Sequence, residues 1–142
     1  MMYVSGIPSS KVNDVWDRCK KFIEMGNNKS QQEMNVDDIY EKLLTTDMQL
    51  WMVFNEDAEI VSVLTTEVVL YPRIKTCRIV TLGGKDMDDW VEQFLEVLEE
   101  WALENDCVAM ETACRKGFIK KLEKYGYEHT YTILTKKLQT LQ

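Results

Sequence analysis

Between Met87 and Ala102 the chain places Met87, Trp90, Val91, Phe94, Leu95, Leu98, Trp101 and Ala102 at spacings of three and four. That is the helical period, so these side chains share one stripe. Asp88, Asp89, Glu92, Glu96, Glu99, Glu100 and Glu104 fall on the other side. A helix with two tryptophans and a phenylalanine on one face needs a broad apolar surface to cover it. The glutamates opposite read as a solvated face, not as a catalytic carboxylate cluster.

The residues before this helix supply such a surface. Leu50 to Phe54 is a β-prone run, Asn55-Glu56-Asp57 is turn chemistry, and Ile60 to Tyr71 is a long β-branched stretch. Pro72 marks a break. Thr76 to Leu82 follows as a third strand, ended by Gly83-Gly84. Three strands joined by short turns make an antiparallel meander.

Upstream, Met2 to Ser5 reads as a short strand, and Pro8-Ser9-Ser10 as a helix start. Val12, Val15, Trp16, Cys19, Phe22 and Ile23 then recur at helical spacing, with Gly26 as a stop. The stretch from Asn27 to Asn35 is polar and aperiodic. Asn35 can cap a second helix whose apolar face is Ile39, Tyr40, Leu43 and Leu44.

Downstream, Cys107 to Thr112 suits a buried strand and Lys116 to Lys124 a basic amphipathic helix stopped by Gly126. The alternation from Tyr127 to Leu138 predicts one or two closing strands. The expected order is therefore β-α-α-β-β-β-α-β-α-β, with an optional further strand. This is an α/β (α+β) architecture: a mixed, mostly antiparallel sheet with helices on both faces. A length of 142 residues suits a single domain over 1–142.

Composition narrows the function classes. Net charge is −7 and the pI near 4.8, which argues against a general nucleic-acid binder, because phosphate-backbone binding runs on Lys and Arg. No apolar run approaches the roughly 20 residues of a membrane span, so no membrane partner is expected. The start, MMYVSGIPSS, lacks the basic and apolar segments of a signal peptide, so export is not expected. Cys19, Cys77, Cys107 and Cys114 show no C-x-x-C spacing and His129 is the single histidine, so no zinc site of the common patterns is expected. The cysteines read as small buried hydrophobes. No nucleophile motif accompanies His129, which leaves no Ser/His/Asp or Cys/His arrangement.

The element order and the segment from Trp51 to Leu138 resemble the GNAT superfamily of acetyl-CoA-dependent N-acetyltransferases. The stretch FIKKLEKYGYEHTYTILTKKL is similar to that family's last helix and its Glu-Lys-x-Gly-Phe ending. A closer likeness is to the small GNAT-like proteins of tailed bacteriophages, including the internal virion protein of short-tailed phages. It is carried by Leu82-Gly83-Gly84-Lys85, by Trp101-Ala102, and by Phe118-Ile119-Lys120-Lys121-Leu122 with Gly126 after it.

The resemblance implies a place for each part of an acetyl-CoA site. The family holds the CoA pyrophosphate on backbone N–H groups of a Gly-rich loop at a helix N-terminus. Here that loop is Leu82, Gly83, Gly84 and Lys85, the cofactor-binding set if CoA is bound. Asp86, Asp88 and Asp89 add three carboxylates to the same turn. The family's proton donor, a Tyr on the last helix, falls at Leu122, which has no proton to give. Its usual Asn and small residue fall near Arg115 and Phe118. Tyr125 is a candidate for a shifted donor, with packing at the helix end as its plain alternative. Glu67 is a candidate strand base, with an ordinary solvated carboxylate as its alternative.

The expectation is a phage-encoded, GNAT-like protein that is catalytically degenerate. It would act as a virion-associated or host-interacting module with a protein partner, in the virion or the host bacterial cytoplasm, with no cofactor and no metal. The alternative is an active acetyl-CoA-dependent N-acetyltransferase on an unidentified amine.

Overall fold

Five strands carry the molecule: β1 (Tyr3–Ile7), β2 (Met48–Phe54), β3 (Ile60–Leu70), β4 (Lys75–Gly84) and β5 (Ala109–Thr112). The computed structural model describes residues 1–27 and 33–139. The strands lie side by side in sequence order, antiparallel except for the parallel pair β4–β5. The β2–β3 turn is set by Asn55, whose side-chain oxygen accepts the Asp57 and Glu59 N–H groups, each at 3.0 Å. A parallel pair cannot be joined by a tight turn. The helix α3 (Met87–Glu104) provides the crossover.

Helices cover both faces of the sheet. On one, α1 (Val12–Asn27) and α2 (Val36–Leu44) set Val12, Cys19, Ile23, Ile39 and Leu43 against Met48, Leu50, Met52 and Val63. Asn35 caps α2 reciprocally: its side chain accepts the Asp38 N–H, and the Asp38 carboxylate accepts the Asn35 N–H, both at 2.9 Å. On the other face, α3 and α4 (Lys116–Glu123) bury Trp90, Val91, Phe94, Leu98 and Leu122 against Val53, Val61, Leu64, Cys77 and Ile79. Trp51 is the hub there. Its ring meets Phe94 and Trp101 edge-on at 6.2 and 5.6 Å, and its Nε1–H donates to Thr66 Oγ1 at 2.9 Å.

The α/β class, the mostly antiparallel sheet and the two-sided helical cover match expectation. Two details differ. Gly26 is the penultimate residue of α1, which runs to Asn27, and a β-carbon there would press on the Leu82 backbone: the helix runs close over β4. The closing strands expected over 127–138 are not formed; no strand is assigned beyond β5 among the described residues. The Tyr127 N–H donates to the Leu122 carbonyl at 3.2 Å and its hydroxyl to Glu99 at 3.1 Å. The segment therefore starts on α4 and α3. Alternating side chains do not make a strand without a backbone partner. Among the described residues no helix is long and apolar enough to cross a membrane.

Candidate functional site

The partial pairing of β5 leaves a cleft beside β4. It pairs with β4 only from Thr76↔Ala109 to Ile79↔Thr112, whereas β4 runs on to Gly84. Beyond that point, among the described residues, no strand lies on this side of β4, and such an edge presents unpaired N–H and C=O groups. The β3–β4 register passes from Thr65↔Thr81 to Thr66↔Ile79, so Val80 is the extra residue of a β-bulge. The cleft has a volume of about 140 Å³. Val80 and Leu82 line it from β4, Trp90 and Phe94 from α3, and Phe118 and Leu122 from α4. The loop 113–115 forms the far wall.

Such a cleft suits an extended arm with alternating amide and apolar parts, held by peptide hydrogen bonds as an added strand is. Both threonines of its lining are engaged, and Arg115 adds a cation. Thr112 Oγ1 donates to the Ile79 carbonyl at 3.0 Å, and Thr81 shares a 2.6 Å hydrogen bond with Thr65. Cys114, which also lines the cleft, is exposed, unlike the buried Cys19, Cys77 and Cys107, and partial burial pushes its thiol up.

Of Leu82, Gly83, Gly84 and Lys85, Leu82 lines the cleft and the other three do not. The glycines belong to β4 and pair with Val63 and Ser62 of β3. A β-carbon on Gly83 would overlap the Phe22 carbonyl of α1, so its bareness serves the approach of α1 to the sheet. Lys85 donates its N–H to the Val61 carbonyl at 3.1 Å, and its own carbonyl accepts Trp90 Nε1–H at 2.8 Å. Asp86 adopts a left-handed conformation (φ 58°) and makes no side-chain cap; its carbonyl accepts the Asp89 N–H at 2.9 Å. Asp88 reaches across to Lys121 of α4 at 3.5 Å. All three aspartates are exposed at the start of α3.

Glu67 and Tyr125 do not line the cleft. Glu67 is half-buried on β3 and paired with Arg78 of β4 at 3.1 Å. Tyr125 packs, partly buried, against the α3 side of the core. Leu122, where the resemblance puts the family's proton donor, does line the cleft and is buried.

One polar cluster was not legible beforehand. Glu67, Arg78 and Glu111 lie abreast on β3, β4 and β5. Arg78 also bonds Glu111 at 3.4 Å, and Glu111 accepts from Tyr71 at 2.9 Å and from Thr76. Burial pushes the Glu111 carboxyl up, but the Thr76 and Tyr71 hydrogen bonds and the Arg78 guanidinium outweigh it and leave it below the ordinary carboxylate value. The cluster is assembled by strand register across a crossover, and no local spacing announces that. Among the described residues no group of three His, Cys, Asp or Glu side chains is placed to hold a metal.

No protein-family model matches the chain, and no curated protein matches it. Solved structures do. An aminoglycoside acetyltransferase from an uncultured soil metagenomic sample superposes with a TM-score of 0.74 at 10% identity, over 98% of this chain and 99% of that one. Glucosamine-6-phosphate N-acetyltransferase from Arabidopsis thaliana gives 0.68 at 14% identity, over 98% and 99%. A predicted acetyltransferase with acetyl-CoA from Clostridium acetobutylicum gives 0.69 at 14% identity, over 97% of each chain. At these identities the likeness is one of fold.

Proposed function

We propose that this chain, which has the fold of the GNAT acetyltransferases, is a catalytically degenerate, acetyltransferase-like protein that works as a binding module. The observation that carries this is the lining of its cleft: among the described residues, no carboxylate, imidazole or phenol lines it. Acyl transfer from a thioester to an amine needs a group to take the amine proton and a group to protonate the departing thiolate. Leu122 can do neither. Glu67 is held by Arg78, and burial with the Glu99 carboxylate pushes the Tyr127 hydroxyl far above the phenol range.

The two ends of CoA fit differently. The uncovered β4 edge and the apolar cleft suit the pantetheine arm. The pyrophosphate end does not fit: Asp86, Asp88 and Asp89 surround the N-terminus of α3, and like charge there opposes a doubly charged ligand.

A phage origin and a virion-associated or host-interacting role with a protein partner belong to this reading. Their support is the sequence likeness at Leu82-Gly83-Gly84-Lys85, Trp101-Ala102 and Phe118 to Leu122. The second reading, an active acetyl-CoA-dependent N-acetyltransferase, is favoured by the open cleft and by the acetyl-CoA in the Clostridium acetobutylicum structure. A thiol-release assay with acetyl-CoA and a panel of primary amines separates them. Background hydrolysis alone is the expected result; amine-dependent, saturable release of CoA would establish the enzyme.

A further inference from the structure

We propose that the cleft beside β4 docks an extended acidic segment of another protein, resting on the binding-module reading above and naming that module's partner. The segment adds to the uncovered edge of β4, sets one apolar side chain between α3 and α4, and lays its carboxylates on the cations of α4.

Charge identifies the partner. Residues 115–124 hold the cations Arg115, Lys116, Lys120, Lys121 and Lys124 against the single acid Glu123, in a chain of net charge −7. Asp88 takes up Lys121 at 3.5 Å. Arg115, Lys116, Lys120 and Lys124 are exposed, and among the described residues none of them forms an ion pair. Lys116, Lys120 and Lys124 recur every four residues, so they form one stripe along α4. Arg115, next to the first of them, lines the cleft and joins the stripe to it. Basic side chains left unneutralised in an otherwise acidic protein fit a partner rich in Asp and Glu.

Shape sets the rest. Among the described residues no strand covers β4 beyond the Ile79↔Thr112 pair, and a bare edge of this kind accepts a peptide as an added strand. The cleft volume of about 140 Å³ is close to the roughly 150 Å³ that holds a benzene ring, so it admits one branched or aromatic side chain. Trp90, Phe94, Phe118 and Leu122 give that side chain an apolar wall. A nucleic acid fits less well: the −7 charge of the whole chain repels a polyanion, and Trp90 and Phe94 are buried and offer no stacking platform.

The test is fluorescence polarisation of the full chain with two labelled peptides of about ten residues, each with a Leu-Phe-Val centre. One carries glutamates on the N-terminal side of the centre and the other on the C-terminal side. Saturable micromolar binding of at least one is expected, and which one reports the direction of the added strand. A lysine-flanked peptide, and an N-methylated copy of the binding peptide that cannot complete a ladder, are expected not to bind. Arg115→Glu/Lys120→Glu is expected to weaken binding about tenfold or more, with unchanged melting because both side chains are exposed. Cys114 is the exposed member of the four cysteines and lines the cleft, so saturating peptide is expected to slow its reaction with a maleimide several-fold. No binding by either acidic peptide, equal binding of the lysine peptide or of the N-methylated copy, undiminished binding to Arg115→Glu/Lys120→Glu, unslowed Cys114 labelling, or tighter binding of a single-stranded oligonucleotide would overturn the proposal. Amine-dependent CoA release in the thiol-release assay would overturn the binding-module reading, whereas failure of the peptides with background hydrolysis alone would overturn only the acidic partner.

Discussion

Replacing Gly83 with alanine separates a packing role from a phosphate-cradling one. In β4 the residue has an ordinary strand conformation, so the substitution carries no φ penalty, and the whole effect is steric. The new β-carbon would overlap the Phe22 carbonyl oxygen and stand 2.9 Å from its carbon and 3.2 Å from the Gly26 nitrogen. All three are backbone atoms of α1, so no side chain can swing aside and the helix must shift bodily. Overpacking of this kind costs about 1–3 kcal/mol. For a domain of this size that lowers Tm by about 3–12 °C. Gly117, in α4, is the control: a β-carbon there meets nothing within 4 Å, and Gly117→Ala is expected to raise stability by about 0.5–1 kcal/mol. Thermal and urea melts followed by circular dichroism read both. Gly83→Ala melting with the wild type would refute the close approach of α1 to β4.

Trp51→Ala is expected to cost about 3–5 kcal/mol in urea denaturation, since it removes the ring on which Phe94 and Trp101 close; a cost below about 1 kcal/mol would show that the hub is elsewhere. For Glu111 the folded pKa lies below the unfolded one, so its contribution is present above the unfolded value of about 4.3 and is lost as pH falls through the folded value. Acid melts of Glu111→Gln are accordingly expected to fall less steeply below about pH 4.3 than those of the wild type, and parallel curves would remove the cluster from the stability account.

Much of the fold was legible because its elements announce themselves locally. The stripe from Met87 to Ala102 became α3, with Trp90 and Phe94 fully buried and Trp101 half-buried at its edge. Asn35 capped α2 as its chemistry predicts. What stayed hidden depends on contacts between distant segments. Gly26 and Gly83 look like a stop and a loop residue until α1 and β4 are brought together, where each proves to be a point of close approach. Glu67 looks solvated until register sets Arg78 beside it. The alternation over 127–138 signals strand propensity, but propensity says nothing of whether an edge lies within reach.

The proposal that the carboxylates at the start of α3 oppose CoA is tested most directly by calorimetric titration of CoA into the wild type and into Asp86→Asn/Asp88→Asn/Asp89→Asn. The account predicts no saturable heat for the wild type in the micromolar range. It predicts measurable binding by the triple variant, at least about tenfold tighter, as repulsion of the pyrophosphate is relieved. The same variant is expected to lose stability, because each carboxylate at a helix N-terminus contributes about 0.3–1 kcal/mol. Micromolar CoA binding by the wild type, weakened by the three substitutions, would contradict the account.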